Sequence, residues 1–267
     1  MAVVSAADLD RIRTALDHAE KVLLGFKSGD TEALHKTNRD VVTAADLEID
    51  AVLKEALLES GDGWLSEETA DGAQRLDAER VWVVDPLDGT KEFVAGLPEW
   101  CVSIALVVDK QVVAAGITNP DAHFRALGAP GFGCWVNDEP AGVSTTASLA
   151  DCHVLASRSE VIRGEWDQWR TTSLRIEPMG SVAYKLARVA AGLADATWTL
   201  VPKHEWDVAA GIGLIEAAGG WARTLEGKRP VFNQRPPWLS GLIASGPGLA
   251  ACLTRDFVSK GQPPPSP

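Results

Sequence analysis

Cysteine is scarce in this chain and scattered along it. The four residues, Cys101, Cys134, Cys152 and Cys252, form no CxxC pair. That argues against a zinc site or a disulfide framework and for free thiols buried in a reducing compartment. No apolar run is long enough to span a bilayer. Met1-Ala2-Val3-Val4-Ser5 has neither the basic start nor the apolar core of a signal peptide. Positive charge is short as well: 25 Lys and Arg face 37 Asp and Glu, for a formal net charge of -12. With no basic stripe to offset it, this balance excludes nucleic-acid polymers as partners, although a small phosphorylated metabolite is acceptable where a metal supplies local positive charge. No internal repeat is visible. The expectation is a soluble cytoplasmic protein that does not engage a membrane; its 267 residues, 46% hydrophobic, suffice for one large or two smaller domains.

What is present begins with a helical pattern over Ala6 to Lys27, with Leu9, Ile12, Leu16, Val22 and Leu23 on one face. A second helix follows Asp40-Val41-Val42-Thr43-Ala44-Ala45-Asp46, and either Thr43 or Asp46 can cap it. Val81 to Val84 reads as a buried strand that breaks at Pro86. Cys101 to Val108 and Val112 to Ile117 form a hairpin around Asp109-Lys110-Gln111, and Ala122 to Leu127 and Cys134 to Val136 extend the meander into an antiparallel or mixed sheet. From about Ala150 the pattern alternates. Cys152 to Ala156, Leu174 to Ile176 and Ala194 to Leu200 read as strands; Glu160 to Arg170, Ser181 to Ala191 and Trp206 to Ala218 read as helices. The expected division is 1–149, 150–259, and a proline-rich disordered tail over 260–267.

The chemistry concentrates in Trp82-Val83-Val84-Asp85-Pro86-Leu87-Asp88-Gly89-Thr90-Lys91-Glu92-Phe93. A strand end that presents two carboxylates, a carbonyl and a hydroxyl in one turn suits a hard cation such as Mg²⁺. An acidic turn capping a helix is the competing explanation. Asp207, at the start of an apolar helix in Lys203-His204-Glu205-Trp206-Asp207, can likewise simply favour the helix dipole. Glu67-Glu68 on its own is a pair of solvated charges.

Taken in order, GWLSEE, WVVDPLDGTKEF and HEWDVAAG resemble the inositol-monophosphatase-like superfamily of Mg²⁺-dependent, lithium-sensitive phosphatases, from about Asp40 to Gly220. The resemblance implies an α/β (α+β) fold, a layered α/β/α/β/α sandwich of the inositol monophosphatase/fructose-1,6-bisphosphatase type with its metals between the halves. It allows a homodimer, and nothing in the sequence fixes the subunit count. It also implies roles: Glu67, Asp85, Asp88, Asp207 and the Leu87 carbonyl as ligands of two or three Mg²⁺ ions, and Asp46 with Thr90 as the pair through which a hydroxyl activates water. Glu67 also orients that water, and Gly89 and Thr90 offer backbone donors to the phosphate. Li⁺ is then an expected inhibitor. Phosphate esters hydrolyse extremely slowly unaided, and two divalent ions about 4 Å apart stabilise both the attacking and the leaving oxygen.

Three details point to the 3′(2′),5′-bisphosphate nucleotidase branch. DGTKEF resembles those enzymes, whereas inositol monophosphatases typically carry DGTTNF. Lys185, seven residues before Gly192, is expected to pair with a second phosphate, and Ser181, which opens the segment, is placed with it among the substrate-binding residues. Leu200 stands where inositol enzymes typically place a glutamate for the polyol, so inositol hydroxyls would lack a partner. Trp198 is either core or a surface for an adenine ring. Lys203 and His204 are placed at the pocket mouth, Glu205 has no assigned role, and the ten tryptophans cannot be sorted into core and surface. The leading expectation is hydrolysis of 3′-phosphoadenosine 5′-phosphate to AMP, with the metals holding the 3′-phosphate. A monophosphatase for inositol, histidinol or sugar phosphates comes next. A non-catalytic phosphate or metal sensor comes last, because binding alone does not require the Asp46–Thr90 pair.

Overall fold

The computed structural model describes residues 6–31, 34–35, 41–69, 71–170 and 172–255. The proline-rich tail expected at 260–267 lies outside them. In chain order the elements are α1 (Ala6–Leu23), β1 (Leu34–His35), β2 (Val41–Val42), α2 (Ala44–Leu57), β3 (Gly63–Ser66), β4 (Arg80–Asp88), α3 (Thr90–Val94), β5 (Cys101–Val108), β6 (Gln111–Asn119), β7 (Phe124–Ala129), β8 (Gly133–Val136) and β9 (Glu139–Ala141). The second part comprises β10 (His153–Ser157), α4 (Arg158–Ile162), β11 (Arg175–Met179), α5 (Val182–Ala190), β12 (Ala196–Thr199), β13 (Lys203–His204), α6 (Glu205–Ala217), β14 (Trp221–Thr224), β15 (Trp238–Leu239), β16 (Leu242–Ser245) and α7 (Ala250–Leu253).

Alternation along β4 sets the layering. Because successive strand side chains face opposite sides, Val81 and Val83 enter one core with α5 and α6, while Trp82 and Val84 enter another with α1 and α2. β4 belongs to a seven-stranded sheet of order β3-β4-β5-β6-β7-β8-β9, in which only β3 and β4 pair in parallel. On the far side of α5 and α6 is a five-stranded sheet of order β11-β10-β12-β16-β14. Leu155, Ala222, Leu242 and Ala244 join its inner face to the α5–α6 core. Its outer face is a third core that holds Trp166 and Trp198 under Leu249 and Leu253. Helices, sheet, helices, sheet and a thinner outer helical layer therefore follow one another, as the resemblance implies.

Two local expectations change. The strand expected to stop at Pro86 continues to Asp88, with a register shift between Asp85↔Ser103 and Asp88↔Cys101. A bulge absorbs Pro86, which has no N–H to give the ladder, and turns the chain so that both acids stay at the C-terminal end of β4. The helix expected over Glu160 to Arg170 is instead α4 followed by a 3₁₀ turn over Asp167–Trp169. Gly164 takes φ 80° there, and Trp166 is drawn into the core, where its Nε1 donates to Glu160 Oε2 at 3.1 Å. The hairpin at Asp109-Lys110 forms as expected, both residues having positive φ.

Candidate active site

Two helices deliver an acid from the same place. Asp46 and Asp207 are each the third residue of their helix, α2 and α6. Each reaches back to the backbone N–H just before the helix: Thr43 N donates to Asp46 Oδ2 at 2.8 Å, and His204 N to Asp207 Oδ2 at 3.0 Å. Capping and a role in the site are thus compatible, since one oxygen of each carboxylate secures the helix end and the other stays available. Thr43 Oγ1 adds a bond to Asp46 Oδ2 at 2.6 Å, and Thr90 Oγ1 lies 3.1 Å from Asp46 Oδ1 and 3.0 Å from the Leu87 carbonyl.

The turn after β4 is held by its glycine. Gly89 has φ 96°, and a Cβ there would come 2.7 Å from the Glu99 carbonyl, so no other residue fits without displacing backbone. Phe93 then packs edge-on against Trp100, ring centroids 5.0 Å apart, and fixes the short α3 that starts at Thr90. Leu87 N donates to Asp85 Oδ1 at 3.0 Å.

Carboxylates converge at this end of β4. One oxygen from each of Glu67, Asp85 and Asp207 lies within 4.8 Å of the others. Asp85 is buried, and its Oδ2 has no hydrogen-bond partner among the described residues. Burial, then the charges of Glu67, Asp88, Asp207 and Asp46, hold the Asp85 carboxyl well above the usual carboxylate range. Asp207 is pushed up to about 8 by burial and by Asp88, with Lys203 opposing and Glu67 adding to the rise. Asp46 is raised by burial against its bonds from Thr43 and Thr90. A bare, buried carboxylate oxygen among other acids is costly unless a cation compensates it, and an all-oxygen donor set of this kind suits Mg²⁺.

Asp88 stands apart from that trio. Its Oδ2 accepts from Ser181 Oγ at 2.7 Å and from Ala183 N at 2.6 Å, at the start of α5. Its charge nevertheless raises both Asp85 and Asp207. The Ser181 hydroxyl spends its proton on Asp88 and accepts from Tyr184 N at 3.0 Å.

The substrate residues expected from the sequence need correction. Lys185 was expected to meet a second phosphate; its Nζ is buried and donates to the carbonyls of Met179, Gly180 and Ser181 at 3.3, 3.2 and 2.8 Å. An ammonium has three protons, so these bonds use all of them. Leu200 packs against the outer core with Trp166 and Trp198. Trp198 itself is buried and stacked on Trp166, centroids 4.7 Å apart and planes 13° from parallel; it is core and presents no face to an adenine. Lys203 is partly exposed on β13, near enough to Asp207 and Lys185 to influence both.

Some supporting residues were not foreseen. Asp50 accepts from Thr69 Oγ1 at 2.7 Å and from Ser66 Oγ, so it fastens the loop that carries Glu67; its place four residues after Asp46, on the same helix face, was the available signal. Glu205 is buried and accepts from Asn233 N at 2.7 Å and Gln234 N at 2.8 Å. Arg75 meets the same segment through Gln234 O at 2.8 Å and Asn233 Oδ1. Nothing in the local sequence around Glu205 points to that distant loop.

Similarity to known proteins agrees with this geometry. The sequence model of the Inositol monophosphatase family matches residues 4–262. The inositol-1-monophosphatase of Rhizobium meliloti is 33% identical over 198 residues, 70% of this chain and 73% of that protein. The 3′-phosphoadenosine 5′-phosphate phosphatase of Mycobacterium bovis is 36% identical over 202 residues, 72% of each. Among solved structures, the extragenic suppressor protein suhB of Bartonella henselae superposes with a TM-score of 0.81 at 27% identity, covering 96% of this chain and all of the other.

Proposed function

The chain belongs to the inositol monophosphatase family of phosphatases, and from that premise we propose that it is a Mg²⁺-dependent phosphomonoesterase that converts 3′-phosphoadenosine 5′-phosphate to AMP and phosphate. Glu67, Asp85 and Asp207, with Asp88 and the Leu87 carbonyl, would hold the metal. When bound, it supplies positive charge against the phosphate and the developing oxyanions and lowers the pKa of water. The protein's own groups supply the rest. Thr90 Oγ1 passes its proton to Asp46 Oδ1 as it takes one from the attacking water, so the carboxylate ends with the proton and the Leu87 carbonyl only orients the hydroxyl. The Thr43 bonds keep Asp46 from turning away. Backbone N–H groups of Gly89 and Thr90 orient the phosphate.

The observation that carries the choice of substrate is at residue 200. The leucine there turns away from the site into the tryptophan layer, so this position supplies no carboxylate to a polyol, whose hydroxyls bind poorly when unpaired. Lys203, partly exposed beside Asp207, takes the second phosphate in this reading, in place of Lys185. The likeness to the mycobacterial enzyme is further support. The second reading, hydrolysis of inositol 1-phosphate, draws on the Rhizobium relative. Phosphate release from both compounds at equal concentration with Mg²⁺ decides between them. Turnover of inositol 1-phosphate far above that of the bisphosphate nucleotide overturns the first reading, and activity on neither removes both.

A further inference from the structure

The turn at Met179–Ser181 is tied from two sides. Its three consecutive carbonyls converge on the Lys185 ammonium. Between them, Gly180 N donates to Glu99 Oε2 at 2.6 Å, and Glu99 is paired with Arg158. Glu92 lies directly over Gly180, where a Cβ would come 2.4 Å from the Glu92 side chain. The product of this clamping is the backbone of Ser181, held at φ 50° and ψ 117°, which a residue with a Cβ rarely adopts. In that conformation the Ser181 hydroxyl and the Ala183 N–H reach one oxygen of Asp88 together, at 2.7 and 2.6 Å. Both bonds fall on Oδ2, which leaves Oδ1 as the oxygen with which Asp88 can take a cation.

We propose that Lys185 is a positioning residue for cation binding: by cross-linking the carbonyls of Met179, Gly180 and Ser181 it holds the strained turn that orients Asp88. An ammonium is suited to the task, because three donors on one atom can gather three successive carbonyls that would otherwise repel one another. The arrangement runs from Lys185 through the turn to Ser181 and then Asp88, and no step of it needs the lysine to touch substrate. The proposal rests on the reading of Asp88 as a metal ligand.

The test is direct binding of Mn²⁺, followed by electron paramagnetic resonance, to wild type and to Lys185→Met, Ser181→Ala and Asp88→Asn. KM, kcat and the Mg²⁺ requirement are measured in parallel with 3′-phosphoadenosine 5′-phosphate and with p-nitrophenyl phosphate. The expected result is that Lys185→Met and Ser181→Ala each weaken the weakest Mn²⁺ site by about tenfold or more, in the range for residues that orient metal ligands. The Mg²⁺ requirement should rise by the same factor with both substrates, and the double variant should be little worse than either single one. Unchanged Mn²⁺ affinity in Lys185→Met, with KM raised for the bisphosphate alone, overturns the proposal and returns Lys185 to the substrate. Should Lys185→Met fail to fold, Ser181→Ala decides, because it leaves the ammonium and its carbonyls in place: unchanged Mn²⁺ binding there overturns the link to Asp88. If Asp88→Asn binds Mn²⁺ as wild type does, the reading of Asp88 as a ligand fails, and the proposal with it. Weakened binding in Asp88→Asn but not in the other two variants sinks only the proposal.

Discussion

Thr90 Oγ1 and Asp46 Oδ1 are 3.1 Å apart although 44 residues separate them in the chain. One comes from the turn after β4, the other from the first turn of α2, and both are buried. If the pair activates water, removing either half should lower kcat and leave KM nearly unchanged. Thr90→Ala and Asp46→Asn are expected to lose about 10²–10⁴ in kcat, the usual size of general-base assistance. Thr90→Ser, which keeps the hydroxyl, should retain most of the activity. Steady-state kinetics at saturating Mg²⁺ provide the check, and full activity in Thr90→Ala removes the hydroxyl from the mechanism.

Like charges around Asp85 make the protein's stability depend on divalent cations. Glu67, Asp88, Asp207 and Asp46 all act on this one buried carboxyl. Mg²⁺ at about 100 times its Kd should therefore add about 2.7 kcal/mol, which is on the order of 5–10 °C in Tm for a chain of this size. Asp85→Asn should raise the Tm of the chelated protein by relieving repulsion and abolish most of the Mg²⁺-dependent rise. Thermal unfolding with EDTA and with Mg²⁺ reads both effects.

Burial lowers the Lys185 ammonium from its ordinary 10.5 to about 8. Between those two values the unfolded chain still holds a proton that the native chain has released. The unfolded state then binds more protons, so the stability contribution of this group rises with pH across that window. Below about 8 both states are protonated, and the contribution is flat. Urea unfolding of wild type and Lys185→Met from pH 7 to 10.5 should show the difference between them moving in favour of wild type as pH increases. A constant difference contradicts the assignment.

Glu205 joins the start of α6 to the segment at Asn233 and Gln234, which Arg75 holds from the other side. Glu205→Ala leaves two backbone donors without acceptors, while Arg75 keeps its bidentate pair with Asp71. A loss of about 2–4 kcal/mol is expected from the orphaned donors alone. Because Asp207 is two residues further on the same helix, Mg²⁺ should bind more weakly as well. Chemical denaturation and isothermal titration with Mg²⁺ measure the two consequences; unchanged stability would falsify the bracing role.

The central elements were legible because their signals are local. Alternation in β4, the Thr43-to-Asp46 helix start, the glycine of the Asp88-Gly89-Thr90 turn and the apolar run of α6 each follow from a few neighbouring residues. The sequence motifs likewise named Glu67, Asp85 and Asp207, which the fold brings within 4.8 Å of one another. The expected helix over Glu160 to Arg170 failed because its periodicity competed with the pull of one tryptophan into a core. That core draws on β12 and β16, which come from later in the sequence.

What the sequence by itself determined is which acids are available and on which turn or helix start each one stands. Only the tertiary structure decided how the others are used. Spacing marks Lys185 as a residue on α5, but whether its three protons remain for a phosphate depends on three carbonyls of the preceding turn, and those take all of them. Leu200 and Trp198 look like neighbours of a ligand until the five-stranded sheet turns them outward into the tryptophan layer. A side chain's chemistry is written in its identity. Its remaining hydrogen-bonding capacity and its exposure are set by groups that arrive from elsewhere in the fold.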